Sequence, residues 1–353
     1  MATLREIAEE AGVSIDTVSR VLNGKNKEVW RSSARRAAEI RRIAKRLGFR
    51  PNAAARAVRR GRFLRIACVV TRFGPKETTT HPNILSYLTT AADELAERNY
   101  SLVVEPFHLQ DPSGEFIEPP RLFSELAVDG ILGVAGSGFV PRHVDQRLAE
   151  MRVPLVWVNR NPEPDLPCVV PDERVGGREL TRHLVAMGHR RIAYVGPDSG
   201  HLSATGRYEG FLAAVREAGL DESNVILTNR LVPVTTSATR LFDPQPAVTA
   251  VVCYDRTIRD IIMFIAAGRG LRVPTDLSVA HSASAWELST YYEHPMTSVE
   301  IPETLMAAKA VEILLDMIAG HPAPDRIEPI PGRLIPGETA VPPSVSQERR
   351  HDP

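Results

Sequence analysis

Residues 3–24, TLREIAEEAGVSIDTVSRVLNG, carry two short amphipathic helices and the turn between them in their spacing alone. Thr3 and Glu6 stand three apart, the capping-box arrangement in which a hydroxyl and a carboxylate each satisfy an orphan amide. Behind them Leu4, Ile7, Ala8 and Ala11 recur at helical spacing and form one apolar face. Gly12 supplies the positive φ that a tight stop needs. Ser14 then caps a second helix whose buried side is Val18, Val21 and Leu22. Two helices joined by a short glycine-containing turn make a helix-turn-helix. Ala37, Ile40, Ile43, Ala44 and Leu47 predict a third helix that closes a small core. The outer side of the second helix is left free to enter a major groove.

The charge distribution extends this reading outward. The net charge of the 353 residues is zero, yet residues 1–65 hold 17 Lys and Arg against 6 Asp and Glu, and the remainder holds 26 against 37. A basic head on an acidic body is the footprint of a nucleic-acid reader joined to something else; charge alone also allows a solvated basic helix without a polyanion partner. At about 150 residues per domain the length predicts two or three domains. The longest apolar run, residues 261–267, falls well short of the roughly 18–20 residues that span a bilayer. No secretory signal opens the chain. No membrane partner and a cytoplasmic, nucleoid-associated location are expected.

Enzyme signatures are missing from the sequence. There is no G-x-x-x-x-G-K-[ST], G-x-S-x-G or H-E-x-x-H motif, and the glycines of residues 133–138 are in the wrong order for a dinucleotide fingerprint. The histidines show no metal-binding pairs, and Cys68, Cys168 and Cys253 lie far apart, as three core thiols in a reducing compartment would. Neither catalysis nor a cofactor nor a metal is expected.

Ala8, Gly12, Val13, Ser14, Thr17-Val18-Ser19-Arg20-Val21 and Asn23 together resemble the headpiece of the lactose/galactose-repressor family of bacterial transcription regulators. The resemblance implies that Ile15, Asp16 and Arg20 face base edges and that Thr3, Ser14, Thr17 and Asn23 meet the phosphate backbone; Lys25, as a cation, is expected to contribute to all duplexes nearly alike. Arg20 can donate a bidentate pair to guanine, worth about 1–3 kcal/mol of discrimination. Asp16 either accepts from cytosine N4 or complements the dipole of its own helix. Ile15 either touches a thymine methyl or packs on Val18. Residues 25–32 form a longer loop than the family's usual one, where Trp30 plugs the headpiece base or stacks near DNA.

Residues 51–61 begin Pro51-Asn52 and end Arg59-Arg60-Gly61 around an alanine run, a helix too short to stand alone in water. The segment is a plain linker or, by resemblance, the family's hinge helix, which orders on the operator and enters the minor groove. Asn52, Ala55, Arg56, Val58 and Arg59 are its expected DNA contacts. Val58 replaces the usual leucine wedge and should unstack the bases less deeply.

From Arg65 onward β-rich runs (66–71, 101–105, 130–134, 155–158, 191–195, 249–253, 277–281) alternate with helical stretches (85–98, 142–151, 173–187, 207–218, 257–267), which argues for parallel sheets covered by helices. The body is too long for one layer, so two lobes with a ligand cleft at the strand carboxyl ends are expected. Residues 188–196, 207–211 and 270–279 resemble the family's periplasmic-binding-protein-like core. The expected organisation is an all-α helix-turn-helix headpiece (1–50), a hinge (51–61), and an α/β two-lobed core (62–342) with a flexible tail (343–353). Lobe 1 is expected to comprise about 62–160 and 290–322, and lobe 2 about 161–289 and 323–342.

By resemblance Arg207 forks onto a small-molecule effector, or alternatively forms a lobe-spanning salt bridge, and Asp172 lines the cleft. Tyr254-Asp255 stands where the family has Asn-Asp, Asn159 replaces an Asp, His281 begins a departure from Gly-Phe-Asp-Asp, and residues 76–83 also differ from the family pattern. Tyr254 and Trp157 offer aromatic faces. The effector is less hydroxylated than a sugar, or a sugar held by other groups, or the site has decayed. The expected function is a homodimeric regulator, a repressor, on a near-palindromic operator of double-stranded DNA, under effector control. The alternative is an effector-independent or architectural DNA binder.

Overall fold

In the computed structural model, residues 2–23, 31–50, 61–72, 83–108, 128–135, 140, 142–228, 234–242, 248–284, 287 and 295–344 are described. They fall into two compact units, Met1–Phe63 and Leu64–Pro353. Lys25, Trp30, Asn52, Ala55, Arg56, Val58 and Arg59 lie outside the described residues, as do most of the entrance segment 76–83 and the tail from 345.

The first unit holds α1 (Leu4–Ala11), α2 (Ile15–Leu22) and α3 (Arg31–Arg46). The capping box forms as read: the Glu6 amide donates to Thr3 Oγ1 at 3.3 Å, and the Thr3 amide donates to Glu6 Oε2 at 2.8 Å. Gly12 ends α1 at φ 62°. Ile7, Ala8, Val18, Val21, Ala37, Ile40, Ile43 and Ala44 are the buried core, with Leu4, Leu22 and Leu47 packed at its edge. Ile7 and Ile40, each fully buried, are worth about 1.5–3 kcal/mol apiece, a large share of what so small a unit can gather.

The second unit contains two sheets. The first has the order β2-β1-β3-β4-β5, from Ser101–His108, Arg65–Arg72, Gly130–Ala135, Leu155–Val158 and Cys168–Val169, paired in parallel throughout. Its strands are apolar on both faces because both are covered. Ile66, Cys68, Val70, Leu132, Val156 and Val158 meet α4 (Asn83–Glu97) and the late helix Glu303–Ile318, while Ala67, Val69, Ile131, Leu155 and Trp157 meet α5 (Arg142–Glu150). After the two-residue β6 (Pro171–Asp172), the chain enters a second sheet ordered β13-β11-β10-β9-β7-β8. This sheet takes β7 (Ile192–Pro197), β8 (Val225–Thr228), β9 (Ala250–Cys253), β10 (Ser278–Ser284), β11 (Ser298–Ile301) and an antiparallel edge, β13 (Arg333–Ile335). Residues alternate strictly across it. Tyr194 and Val252 face α6 (Glu173–Ala186) and α7 (Leu202–Glu217), whereas Ala193, Val251 and Cys253 face α8 (Arg256–Gly268).

Two of the expected lobe limits shift. Strand β5 pairs with β4, so the chain stays with the first sheet to Val169 rather than leaving near residue 161. Strand β11 pairs with β10, so residues up to Ile301 belong to the second sheet, and the chain returns to the first with α9 (Glu303–Ile318), followed by Ile327 and Ile330. Helix α9 was not among the helices read from spacing. Its burial is one-sided, with Met306, Ala307, Ala310, Val311, Ile313 and Leu314 inward and Lys309, Glu312 and Asp316 outward, but Leu305 on the exposed side and Glu303 on the buried one blur the stripe. A two-stranded parallel pair, β6 with β12 (Ile330–Pro331), ties the segment that first leads into the second sheet to the one that returns to it before β13.

Candidate nucleic-acid interface and effector site

In the headpiece, burial divides α2 cleanly. Val18 is 0% exposed on the inner side, while Ile15, on the outer side, is 44% exposed and outside the core cluster. Of the two readings of Ile15, packing on Val18 is therefore not its place. Arg20 and Asp16 reach outward together as an ion pair one helical turn apart, their side chains 61% and 68% exposed. Asp16 thus holds the Arg20 fork from the same helix face, as the four-residue spacing allows. Ser14 Oγ accepts the Thr17 amide at 3.2 Å and lies 2.9 Å from Thr17 Oγ1, so both hydroxyls gather at the positive end of α2, where a phosphate would be favoured. The Asn23 side-chain Nδ2 donates to the Ser19 carbonyl at 2.6 Å, closing the far end of the same helix.

The body places its charge differently. Arg207 lies inside α7, which begins five residues earlier than its predicted start, with the His201 ring accepting the Ser203 amide. The guanidinium donates from Nε to Glu173 Oε2 and from Nη2 to Glu173 Oε1, both at 2.6 Å, and from Nη1 to the Tyr254 carbonyl at 2.7 Å. The Tyr254 ring stacks 4.5 Å from its central carbon. The Tyr254 hydroxyl is 2.6 Å from Ser203 Oγ. Burial opposes the charge on Arg207, but Glu173 beside it prevails and keeps it protonated. Burial also pushes the Tyr254 phenol up, so it stays a neutral hydrogen-bonding group.

Helices α6 and α7 can meet this closely because glycines line their contact. A Cβ on Gly177 would stand 2.3 Å from the Arg207 carbonyl oxygen, and one on Gly210 would stand 2.2 Å from that of Arg174. Both helices pack on the second sheet, so the Arg207–Glu173 bridge lies within one lobe and is not the lobe-spanning pair named as the alternative.

The other expected effector residues part company. Asp172 and Asp255 cap α6 and α8, accepting the Val175 and Ile258 amides at 2.9 Å, beside Glu173 and Tyr254 respectively. Asn159, at φ 58°, donates to the Ala135 carbonyl at 3.4 Å at the end of the first sheet. Trp157 is not an open aromatic wall: it is fully buried beneath Gly133, where a Cβ would come within 2.2 Å of its ring. Arg160, itself paired with Asp145 at 2.7 Å, lies over the indole. His281 is buried at 1% exposure and accepts from Arg259 Nη1 at 2.9 Å. Trp157 and His281 are interior because every residue of their strands, β4 and β10, is buried. Sequence reasoning missed Glu173, Ser203 and Asn161; the Asn161 amide spans to the start of α7, accepting the Leu202 amide at 2.7 Å and donating to the Gly200 carbonyl at 2.9 Å. The only available signal was that Glu173 follows a capping Asp.

Burial pushes the Cys68 thiol up to about 12 and the Cys168 thiol up to about 11, so neither is a nucleophile at neutral pH. No group of three metal-ligating side chains occurs among the described residues. Among the same residues no helix is long and apolar enough to cross a membrane.

Residues 3–52 match the bacterial regulatory proteins of the lacI family, and residues 181–340 match a periplasmic binding protein-like domain. The transcriptional regulator CelR of Thermobifida fusca is 33% identical over 337 residues, covering 90% of this chain and 92% of that protein. The regulator GalR of Escherichia coli K12 is 27% identical over 331 residues, 92% of each. Among solved structures, the CelR–cellobiose complex superposes with a TM-score of 0.62 at 29% identity, over 96% of this chain and all of that one. The lac repressor dimer bound to operator shares the fold, with a TM-score of 0.74 at 20% identity over 96% of this chain and 99% of that one. A capped helix-turn-helix and a two-sheet α/β body, joined in the order these relatives share, make this chain a DNA-binding transcription regulator, not an enzyme, of the bacterial LacI family.

Proposed function

We propose that the chain acts in the cytoplasm, at the nucleoid, as a homodimeric repressor of a near-palindromic operator. In this reading Ile15, Asp16 and Arg20 read bases while Thr3, Ser14, Thr17 and Asn23 meet phosphates; Lys25 is added as a non-specific cation and the hinge residues Asn52, Ala55, Arg56, Val58 and Arg59 by resemblance. The observation that carries it is the outer face of α2, where exposed Ile15, Asp16 and Arg20 stand opposite buried Val18 and Val21. One short helix reads few base pairs, so a two-fold pair on a palindrome is the economical arrangement. Selection from a randomised palindromic duplex library, followed by anisotropy titration at fixed salt, tests it. The selected palindrome should bind at least about 1,000-fold more tightly than random duplex, with affinity falling steeply as salt rises. Near-equal binding would indicate an architectural protein instead.

The body is read as the sensor of a small molecule. Arg207, Tyr254 and Ser203 gather at the carboxyl end of β9, the place where open parallel sheets bind ligands. Asp172 and Asp255 adjoin Glu173 and Tyr254 along the chain, and Asn159 stands at a strand end of the first sheet. The relative CelR has been solved with cellobiose, which favours a sugar over a decayed site. A thermal-shift screen of the full chain against sugars tests this reading, since a ligand at about 100 times its Kd adds roughly 2.7 kcal/mol.

A further inference from the structure

We propose that Glu173 sets the effector class: by holding Arg207 in a neutral pair, it makes the site accept an uncharged, hydroxyl-bearing molecule and reject the matching carboxylate. The inference rests on the reading above that Arg207 lines the effector site.

An arginine offers five N–H donors. Glu173 takes two of those on Arg207 and the Tyr254 carbonyl takes a third. The two that remain sit on the terminal nitrogens, and each can donate to a hydroxyl or ether oxygen. What the guanidinium no longer offers is an uncompensated positive charge, because its side-on fork already holds a carboxylate at 2.6 Å on both arms. Asp172 and Asp255, each fixed as a helix cap, add further negative charge beside the pair. An incoming carboxylate would lie next to Glu173 where water is scarce, and like charges so placed repel strongly. A hydroxyl meets no such penalty and also finds the Ser203–Tyr254 hydroxyl pair, 2.6 Å apart, able to donate and accept.

Glu173 also cannot step aside. Its side chain is 8% exposed, and a Cβ on Gly206 would stand 2.8 Å from Glu173 Cβ, which shows how tightly α7 closes over it. The neutralising carboxylate is therefore part of the wall and not a mobile counter-ion that a ligand could displace.

Calorimetric titration of the full chain with cellobiose, lactose, glucose and galactose, and with cellobionate, lactobionate, gluconate and galacturonate, tests the proposal. At least one neutral sugar should bind, with its acid roughly tenfold or more weaker. In Glu173→Gln, a near-isosteric change that frees the guanidinium charge, that preference should shrink by about tenfold or invert. An acid bound by the unaltered chain as tightly as its neutral partner would overturn the proposal, as would an unchanged preference in Glu173→Gln. Silence toward every sugar and every acid would overturn the effector reading itself, and the proposal with it. Should Glu173→Gln not fold, the preference of the unaltered chain still decides between the first two outcomes.

Discussion

Arg20 with Asp16 in the headpiece and Arg207 with Glu173 in the body are the same chemical pair in opposite surroundings. The first pair is 61% and 68% exposed, the second 6% and 8%. On α2 the pair is screened by water, so it contributes little to folding and leaves Arg20 available to a base. Between α6 and α7 the pair is sealed in, so neither partner can be removed without stranding the other. In the headpiece the functional face and the structural face are separate sides of one helix. In the body they are the same atoms.

That contrast can be broken by mutation, and the largest effect is expected in the body. Arg207→Ala should destabilise it by about 3–5 kcal/mol, lowering its Tm by roughly 10 °C, because Glu173 is left buried and unpaired. Replacing both partners, Glu173→Met with Arg207→Met, should recover most of that loss in denaturant titration. A single substitution as harmless as the double one would mean that the pair is hydrated after all. Next, Gly210→Ala should cost about 2–3 kcal/mol, since a Cβ there would meet main-chain atoms of α6 that cannot move independently; an unchanged melting curve would show that α6 and α7 have room to separate.

In the headpiece, Arg20→Ala should reduce discrimination between the selected palindrome and its single-base variants by about 1–3 kcal/mol while leaving the far-UV circular dichroism and melting of the chain unaltered. Retention of full specificity would remove Arg20 from the base-reading set.

The body should also respond to acid. Burial holds His189 and His281 below their ordinary value of 6.5, so both are neutral in the folded chain. Unfolding lets them take up protons. Their contribution to stability is present in full above pH 6.5 and is lost as pH falls from there through the depressed folded values. Denaturant midpoints measured from pH 7.5 down to 5.5 should therefore decline, and His281→Gln should flatten the slope. The smallest change belongs to Asp16→Ala, which should shift headpiece stability by no more than about 0.5 kcal/mol, as an exposed pair one turn apart predicts.

How much could be read in advance follows the same division. Capping residues, the stop at Gly12 and the stripe of Ile7, Val18, Val21 and Ile40 are local and periodic, so the headpiece and its outward residues were visible in order along the chain. The alternating strands of the body were visible too, because both faces of each parallel strand are apolar. Helix α9 was not, since an exposed Leu305 and a buried Glu303 blur its apolar stripe. The fates of Trp157 and His281 depended on whether their strands were covered on both faces, and that is decided by what packs against the sheet. The partner of Arg207 depended on glycines at 177 and 210, whose missing side chains let two helices approach until Glu173 came within 2.6 Å. Local signals are written into short stretches of sequence, and they determined that this chain has a DNA-reading headpiece on an α/β body. Contacts between residues 34 positions apart arise only when whole elements pack, and so the tertiary structure alone decided what the body's buried arginine holds.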